Sequence, residues 1–149
     1  MTKTTTRFQK PSFIERMFNK FMGFLVKIGL GPSYMYILAV RGRKSGNIYH
    51  TPVNIIETDG QRYLVAPRGV TQWVRNVRAA HAITLSRGRR QEQVMATEIE
   101  SNRRVPILKV YLSQYYGMVK NYFDITPQSS NDEFTEASVN HPVFRLDGP

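Results

Sequence analysis

Apolar residues recur every three or four positions near the start of the chain, at Ile14, Met17, Phe18, Phe21, Leu25 and Ile28, while Glu15, Arg16, Asn19 and Lys20 fall largely on the other side. This spacing predicts an amphipathic helix over residues 12–29. Ser12 caps it, Glu15 three positions later completes a capping box, and Gly29, Gly31 and Pro32 stop it. The polar residues 1–11, ending in Pro11, predict a flexible tail. The helix covers one face of a sheet or, given the crowding of Phe13, Met17, Phe18, Phe21 and Met22 in a basic stretch, touches a membrane surface.

After Pro32 the period changes. Runs rich in β-branched and aromatic residues over 34–40, 48–57 and 62–66 predict strands, the last two joined by Asp59-Gly60, a strong hairpin signal. Pro67, Arg68 and Gly69 break the pattern. Thr71 then caps a short helix with Trp73, Val77 and Ala80 on one face and Arg75 and Arg78 away from it. Two more strands, 82–86 and 91–99, flank the basic turn Arg87 to Arg90. From Ser101 to about Phe123 a longer helix is predicted, with Val105, Leu108, Leu112, Tyr115 and Val119 along one stripe and Pro106 tolerated in the first turn. The polar stretch 126–138 reads as a loop, and 142–146 as a short edge strand.

With 149 residues and 41% hydrophobic content, the chain fits a single domain spanning 1–149. A net charge of +10 calls for an anionic partner: a phosphorylated cofactor, nucleic acid or an acidic membrane face. No helix-turn-helix, RNP-like or zinc-finger pattern supports nucleic acid. The absence of cysteine removes disulfides, thiolate metal sites and cysteine nucleophiles. His50, His81 and His141 are scattered without metal-ligand spacing, so no metal is expected. Nothing resembles a secretory signal or a spanning segment, and the expected location is cytoplasmic.

The most pointed chemistry lies in Arg41-Gly-Arg-Lys-Ser-Gly46. Its cations, hydroxyl and two glycines are the ingredients of an anion cradle, although the spacing is neither a P-loop nor a dinucleotide fingerprint. The late helix carries Tyr111, Tyr115 and Tyr116, hydroxyls able to donate or relay a proton, in a row that equally suits core packing.

Taken together, Arg43-Lys-Ser-Gly46, Thr51-Pro-Val53, Asp59-Gly60, Tyr63-Leu-Val-Ala66, Gly69 and Trp73-x-x-Asn76-x-x-Ala79 resemble the deazaflavin-dependent nitroreductase family of split β-barrel oxidoreductases and quinone reductases that use coenzyme F-420. The resemblance runs over residues 37–100. It implies an α+β fold, a small antiparallel split β-barrel like those that bind FMN, with peripheral helices. It further implies that Arg43, Lys44 and Ser45 hold the cofactor's phosphate-bearing tail, with Gly46 permitting the turn. Thr51 and Pro52 would lie beside the deazaflavin ring, Ala66, Pro67 and Arg68 would line the same cleft, and Trp73 and Asn76 would close its other side. Three positions depart from the family pattern. Pro67 replaces a small hydroxyl residue, Arg68-Gly69 a Gly-Gly pair, and Tyr49 a basic residue.

On this resemblance the expected activity is hydride transfer from reduced F-420, with FMN the less favoured cofactor, to a small-molecule electron acceptor: a quinone, a nitro compound or an activated alkene. The cofactor would carry the chemistry, so no catalytic triad or carboxylate pair is required. A second reading is a non-catalytic binder of a lipid, fatty acid or flavin-like ligand, held at a membrane surface by the N-terminal helix. Oligomeric state is left open by the sequence.

Overall fold

The computed structural model describes residues 34–148 and the single position Lys20. The predicted tail (1–11) and N-terminal helix (12–29) lie, Lys20 apart, outside them. The described strands are β1 (Met35–Arg41), β2 (Ile48–Thr58), β3 (Gln61–Val65), β4 (Ala82–Arg87), β5 (Arg90–Glu98) and β6 (Val143–Asp147). All neighbours are antiparallel, and they close in the order β1-β2-β3-β6-β5-β4. Among residues 34–148 three α-helices accompany them: α1 (Gln72–Ala80), α2 (Val105–Val119) and α3 (Asn131–Ser138). The fold is therefore the small antiparallel barrel with peripheral helices that the motifs imply.

Turn chemistry fixes the register. Asp59 and Gly60 both adopt positive φ (54° and 73°), the requirement of a type I′ hairpin, and Thr58 pairs with Gln61 across them. Alternation then sends one set of side chains inward. Leu38 and Val40, Val53 and Ile55, Ile83 and Leu85, Val94 and Ala96, and Phe144 and Leu146 fill the barrel, and α1 plugs it with Val74 and Val77. Leu38 and Leu64 are fully buried, and each such side chain contributes about 1.5–3 kcal/mol.

The opposite strand faces carry a second core. Ile56, Val65 and Val143 pack against Leu108, Tyr111, Leu112 and Tyr115 of α2 and Phe134 of α3. A polar clamp links the two layers. The nearly buried Arg104 donates to the carbonyls of Ile99 (2.9 Å) and Ser138 (2.8 Å) and to Glu98 (3.0 Å), and Glu98 also accepts two bonds from Arg78 at 2.7 and 2.8 Å. Burial lowers the pKa of Arg104, with Glu98 opposing that shift, whereas hydrogen bonding to Glu98 raises that of Arg78.

Three expectations are corrected. The stretch 126–138, expected as a loop, contains α3: Ser130 accepts the Glu133 N–H at 3.2 Å while Glu133 reaches back to the Ser130 N–H at 3.1 Å, a complete capping box. The helix was obscured because only Phe134 and Ala137 form its apolar face. The strand at 142–146 is not an edge, since β6 sits between β3 and β5 and completes the barrel. Pro142 costs no ladder bond because it precedes the strand, offering its carbonyl to the Ala66 N–H at 2.9 Å. The late helix is also shorter than 101–123. Single 3-10 turns at Ser101–Arg103 and Lys120–Tyr122 bracket α2, which carries Pro106 in its first turn.

Candidate active site

The β1–β2 connection is drawn tight by two backbone bonds, Gly42 N–H to Asn47 O (2.7 Å) and Gly46 N–H to Gly42 O (3.0 Å), with Gly46 at φ +76°. Ser45 Oγ accepts the Asn47 N–H at 3.1 Å and lies 3.1 Å from the Tyr49 hydroxyl, so the serine is engaged inside the turn. Gly42 permits this. A Cβ there would stand 2.5 Å from Tyr49 Cε2, so only glycine lets the tyrosine ring lie against the turn.

Arg43 is fixed from across the molecule. Asn76 Oδ1 accepts both its backbone N–H (3.1 Å) and its Nη1 (2.8 Å), and Gln72 Oε1 accepts Nη2 at 3.0 Å. A guanidinium has five N–H donors, so this planted side chain retains unused ones at the first turn of α1. Lys44 is exposed and has no partner among the described residues. The helix end itself is open. Thr71 occupies the N-cap position in extended backbone (φ −86°, ψ 179°), yet its hydroxyl makes no capping bond, and no acidic side chain stands in the first turn. Thr71 is 8% exposed, and its Oγ1 is buried without a hydrogen-bond partner. Uncapped N–H groups, the positive helix end, a fixed guanidinium and an ammonium without a partner among the described residues together make a cationic corner rich in donors.

That corner opens into a cleft of about 1020 Å³. Alternation places His50, Pro52 and Asn54 along the outer face of β2, opposite the inward Val53 and Ile55. The Ala66-Pro67-Arg68 segment and Trp73 supply further walls, and Tyr111, Val119 and Tyr122 of the helical layer supply the last. Trp73 rests on the barrel core, its ring centroid 6.2 Å from that of Phe144. The Arg68 guanidinium lies over the Tyr122 ring at 5.8 Å. Asn54 Oδ1 is a second buried polar atom without a partner in the lining.

Arg43, Lys44, Ser45, Thr51, Pro52, Ala66, Pro67, Arg68, Trp73 and Asn76 are thus brought to one cleft from four segments of chain. Gly46 shapes the turn without lining it. Of the tyrosine row only Tyr111 reaches the cleft, and burial pushes its hydroxyl far above the ordinary range, with Tyr115 and Tyr122 adding to the shift. Tyr115 points into the second core and donates to the Ile55 carbonyl at 3.1 Å. Burial, followed by Tyr34, raises its pKa to about 12. Tyr116 packs half-buried against the same core, away from the cleft.

The sequence reading missed His50, Asn54, Gln72 and Tyr122 as lining residues, and took Thr71 for an ordinary cap. The period-2 relation of His50 and Asn54 to Pro52 was the available signal for the first two. Nothing local marked Tyr122, which joins the cleft only because α2 folds back onto the barrel. Among the described residues no helix is long and apolar enough to cross a membrane.

A closed antiparallel barrel with peripheral helices and a cationic corner on its outer wall defines a split-barrel protein. The chain belongs to the F-420H(2)-dependent quinone reductase family, which it matches over residues 15–126. No curated protein matches it. Among solved structures it is similar to an F-420-H(2)-dependent reductase, FDR-A (20% identity, TM-score 0.53, covering 77% of this chain and 95% of that one). It is also similar to one described as a domain-swapped dimer (17% identity, TM-score 0.55, 91% and 97% covered). A third is a protein of unknown function from Agrobacterium tumefaciens (18% identity, TM-score 0.53), of which this chain covers 56%. These likenesses establish the shared fold.

The residues present fit the cofactor that the family's description names. A phosphate-bearing deazaflavin needs cationic and N–H donors at one end and flat walls at the other. The corner at Arg43, Lys44 and Thr71 offers the first, and Pro52, Ala66 and Trp73 offer the second.

Proposed function

We propose that this chain is an F-420-dependent oxidoreductase that passes a hydride to an electron-poor acceptor: a quinone, a nitro compound or an activated alkene. The observation that carries the reading is the convergence of the Arg43-Lys44 turn and the uncapped α1 N-terminus at one end of a flat-walled cleft. Lys44, the unused Arg43 donors and the Thr71 hydroxyl bind the phosphate. Asn76 positions Arg43 rather than spending its own carbonyl oxygen on ligand. Pro52, Ala66 and Trp73 line the cleft and would flank a planar ring system bound there, limiting its access to water. Bound there, the reduced deazaflavin supplies the hydride.

At Pro67 a backbone donor is missing, and Arg68 offers a cationic one beside it. FMN is the less favoured occupant. Contact with a membrane surface, as part of this proposal, rests on the N-terminal segment outside the described residues.

Trp73 is the chain's only tryptophan and lines the cleft, so its fluorescence reports occupancy directly. Titration with F-420 should quench it saturably. Reduced F-420 should then be oxidised when menaquinone analogues or nitroaromatics are added, with FMN and NADPH as controls. Tight binding with no acceptor reduced would move the protein to the non-catalytic ligand-binding class, and absence of any flavin-like binding would remove the reading altogether.

A further inference from the structure

Two-electron reduction of a quinone by hydride leaves a hydroquinone monoanion, and a proton must reach its second oxygen to complete the reaction. We infer that His50 is the group that delivers this proton. The inference rests on the function proposed above and does not call on the tyrosine row of α2.

The cleft's other proton carriers are committed elsewhere. The Tyr49 hydroxyl is paired with Ser45 Oγ inside the turn. Tyr111 is fully buried, and burial holds its hydroxyl too weakly acidic to protonate a hydroquinone anion. Arginine does not release its proton in proteins. Lys44 stands at the anion corner, where its charge is used in binding. The Tyr122 ring lies under Arg68. His50 differs from all of these. It lines the cleft, is exposed, and its side chain makes no hydrogen bond among the described residues. Imidazole is also the side chain most often found as a general acid or base in proton transfer.

Its position suits the task. His50 is two residues from Pro52 and shares its face of β2, one strand repeat of about 7 Å along the cleft wall. Pairing with Ala39, a small residue, leaves its flank open on the neighbouring strand. On the other side of Pro52, the unpartnered Asn54 Oδ1 marks a polar spot able to receive a further acceptor atom. The balance is complete. The acceptor gains the hydride from the cofactor and a proton from the imidazolium, and the neutral imidazole regains its proton from water at the exposed mouth of the cleft.

Two measurements test this. With menadione as acceptor, His50→Gln and His50→Ala should each lower kcat by about a hundredfold or more, the range for a lost general acid. F-420 affinity read by Trp73 fluorescence should be unchanged, and added imidazole should restore turnover to the alanine variant. Independently of turnover, NMR of the histidine ring protons in the presence of oxidised F-420 and menadione should show the His50 signal shifting with menadione while that of His81 stays fixed. Turnover within threefold of the unsubstituted protein, a loss that imidazole does not repair, or a His50 resonance indifferent to menadione would each overturn the assignment. If the unsubstituted protein reduces no acceptor at all, the proposed function fails instead, and the NMR measurement still decides whether His50 meets the ligand.

Discussion

The two cores of this protein are built from different materials. Among the described residues the barrel interior is almost wholly aliphatic, with Phe144 its one fully buried ring, whereas the layer between barrel and α2 is rich in Tyr111, Tyr115, Phe123 and Phe134. Branched aliphatics packed in alternation make a stiff, dry cylinder. Aromatic residues with polar tips make a layer that still needs hydrogen-bond partners, as the Tyr115 bond to Ile55 shows. The cleft opens along the seam: Val53 and Ala66 belong to the barrel core, Val65, Tyr111 and Val119 to the outer one, and all five line it. The aliphatic core thus backs the wall that carries His50, Pro52 and Asn54, while the aromatic layer supplies Tyr111 and Val119.

The sharpest way to break this comparison is to remove equal volumes from each core. Leu38→Ala should destabilise the protein by about 4–5 kcal/mol, because a closed barrel has little room to collapse onto the cavity. Leu112→Ala should cost only about 2–3 kcal/mol, since α2 is free to shift inward. Denaturant unfolding of both measures the difference, and equal losses would show the two layers to be equally rigid.

Next in size is an effect on binding alone. Lys44→Ala should weaken F-420 binding by about 1.5–3 kcal/mol, the range for a charge-assisted bond, while leaving the melting temperature unchanged because Lys44 touches neither core. Unchanged affinity at moderate salt would place the anion elsewhere.

The smallest effect separates the tyrosines. Tyr115 has its pKa raised to about 12 in the folded protein. The folded state therefore holds this proton more tightly than the unfolded chain does, so the stability linked to it is fully present below about pH 10 and lost as the pH rises through 12. Tyr115→Phe should cost about 1 kcal/mol at neutral pH, the net value of its hydrogen bond, and reduce the alkaline loss. An unaltered alkaline unfolding curve would assign that loss to other groups.

What the sequence made legible follows the range of the signals. Asp59-Gly60 and the strand alternation act over a few residues and appeared where expected; the α1 stripe did so only in part, since Val77 is buried as expected but Val74 and Asn76 are buried beside it, while Trp73 and Ala80 are half-buried. The capping box at Ser130 and Glu133 was equally local but was overlooked because a face of two apolar residues gives little periodicity. The closing role of β6 was not local at all, since only three-dimensional closure distinguishes it from an edge. The site divides in the same way. The basic turn was readable, and the resemblance gathered the lining residues. That Asn76 holds Arg43 from 33 positions away, that Thr71 fails to cap its own helix, and that Tyr115 and Tyr116 face away from the cleft are consequences of packing.

The closure of the barrel also bears on the order in which the molecule assembles. β3 and β6 are strand neighbours far apart in sequence, and the Gln61 amide spans 85 positions to reach the Leu146 carbonyl at 2.7 Å. Contacts of such separation form slowly, because a long loop must be closed before any of them is gained. The hairpins β1–β2, β2–β3 and β4–β5 have short connections and are expected to form early. Arrival of β6 is then the late event, the same event that sets the Pro142 carbonyl against the Ala66 N–H and fixes that wall of the cleft. Nascent or refolding chains would accordingly show most of their sheet before they can hold a ligand, with binding competence appearing together with the final strand.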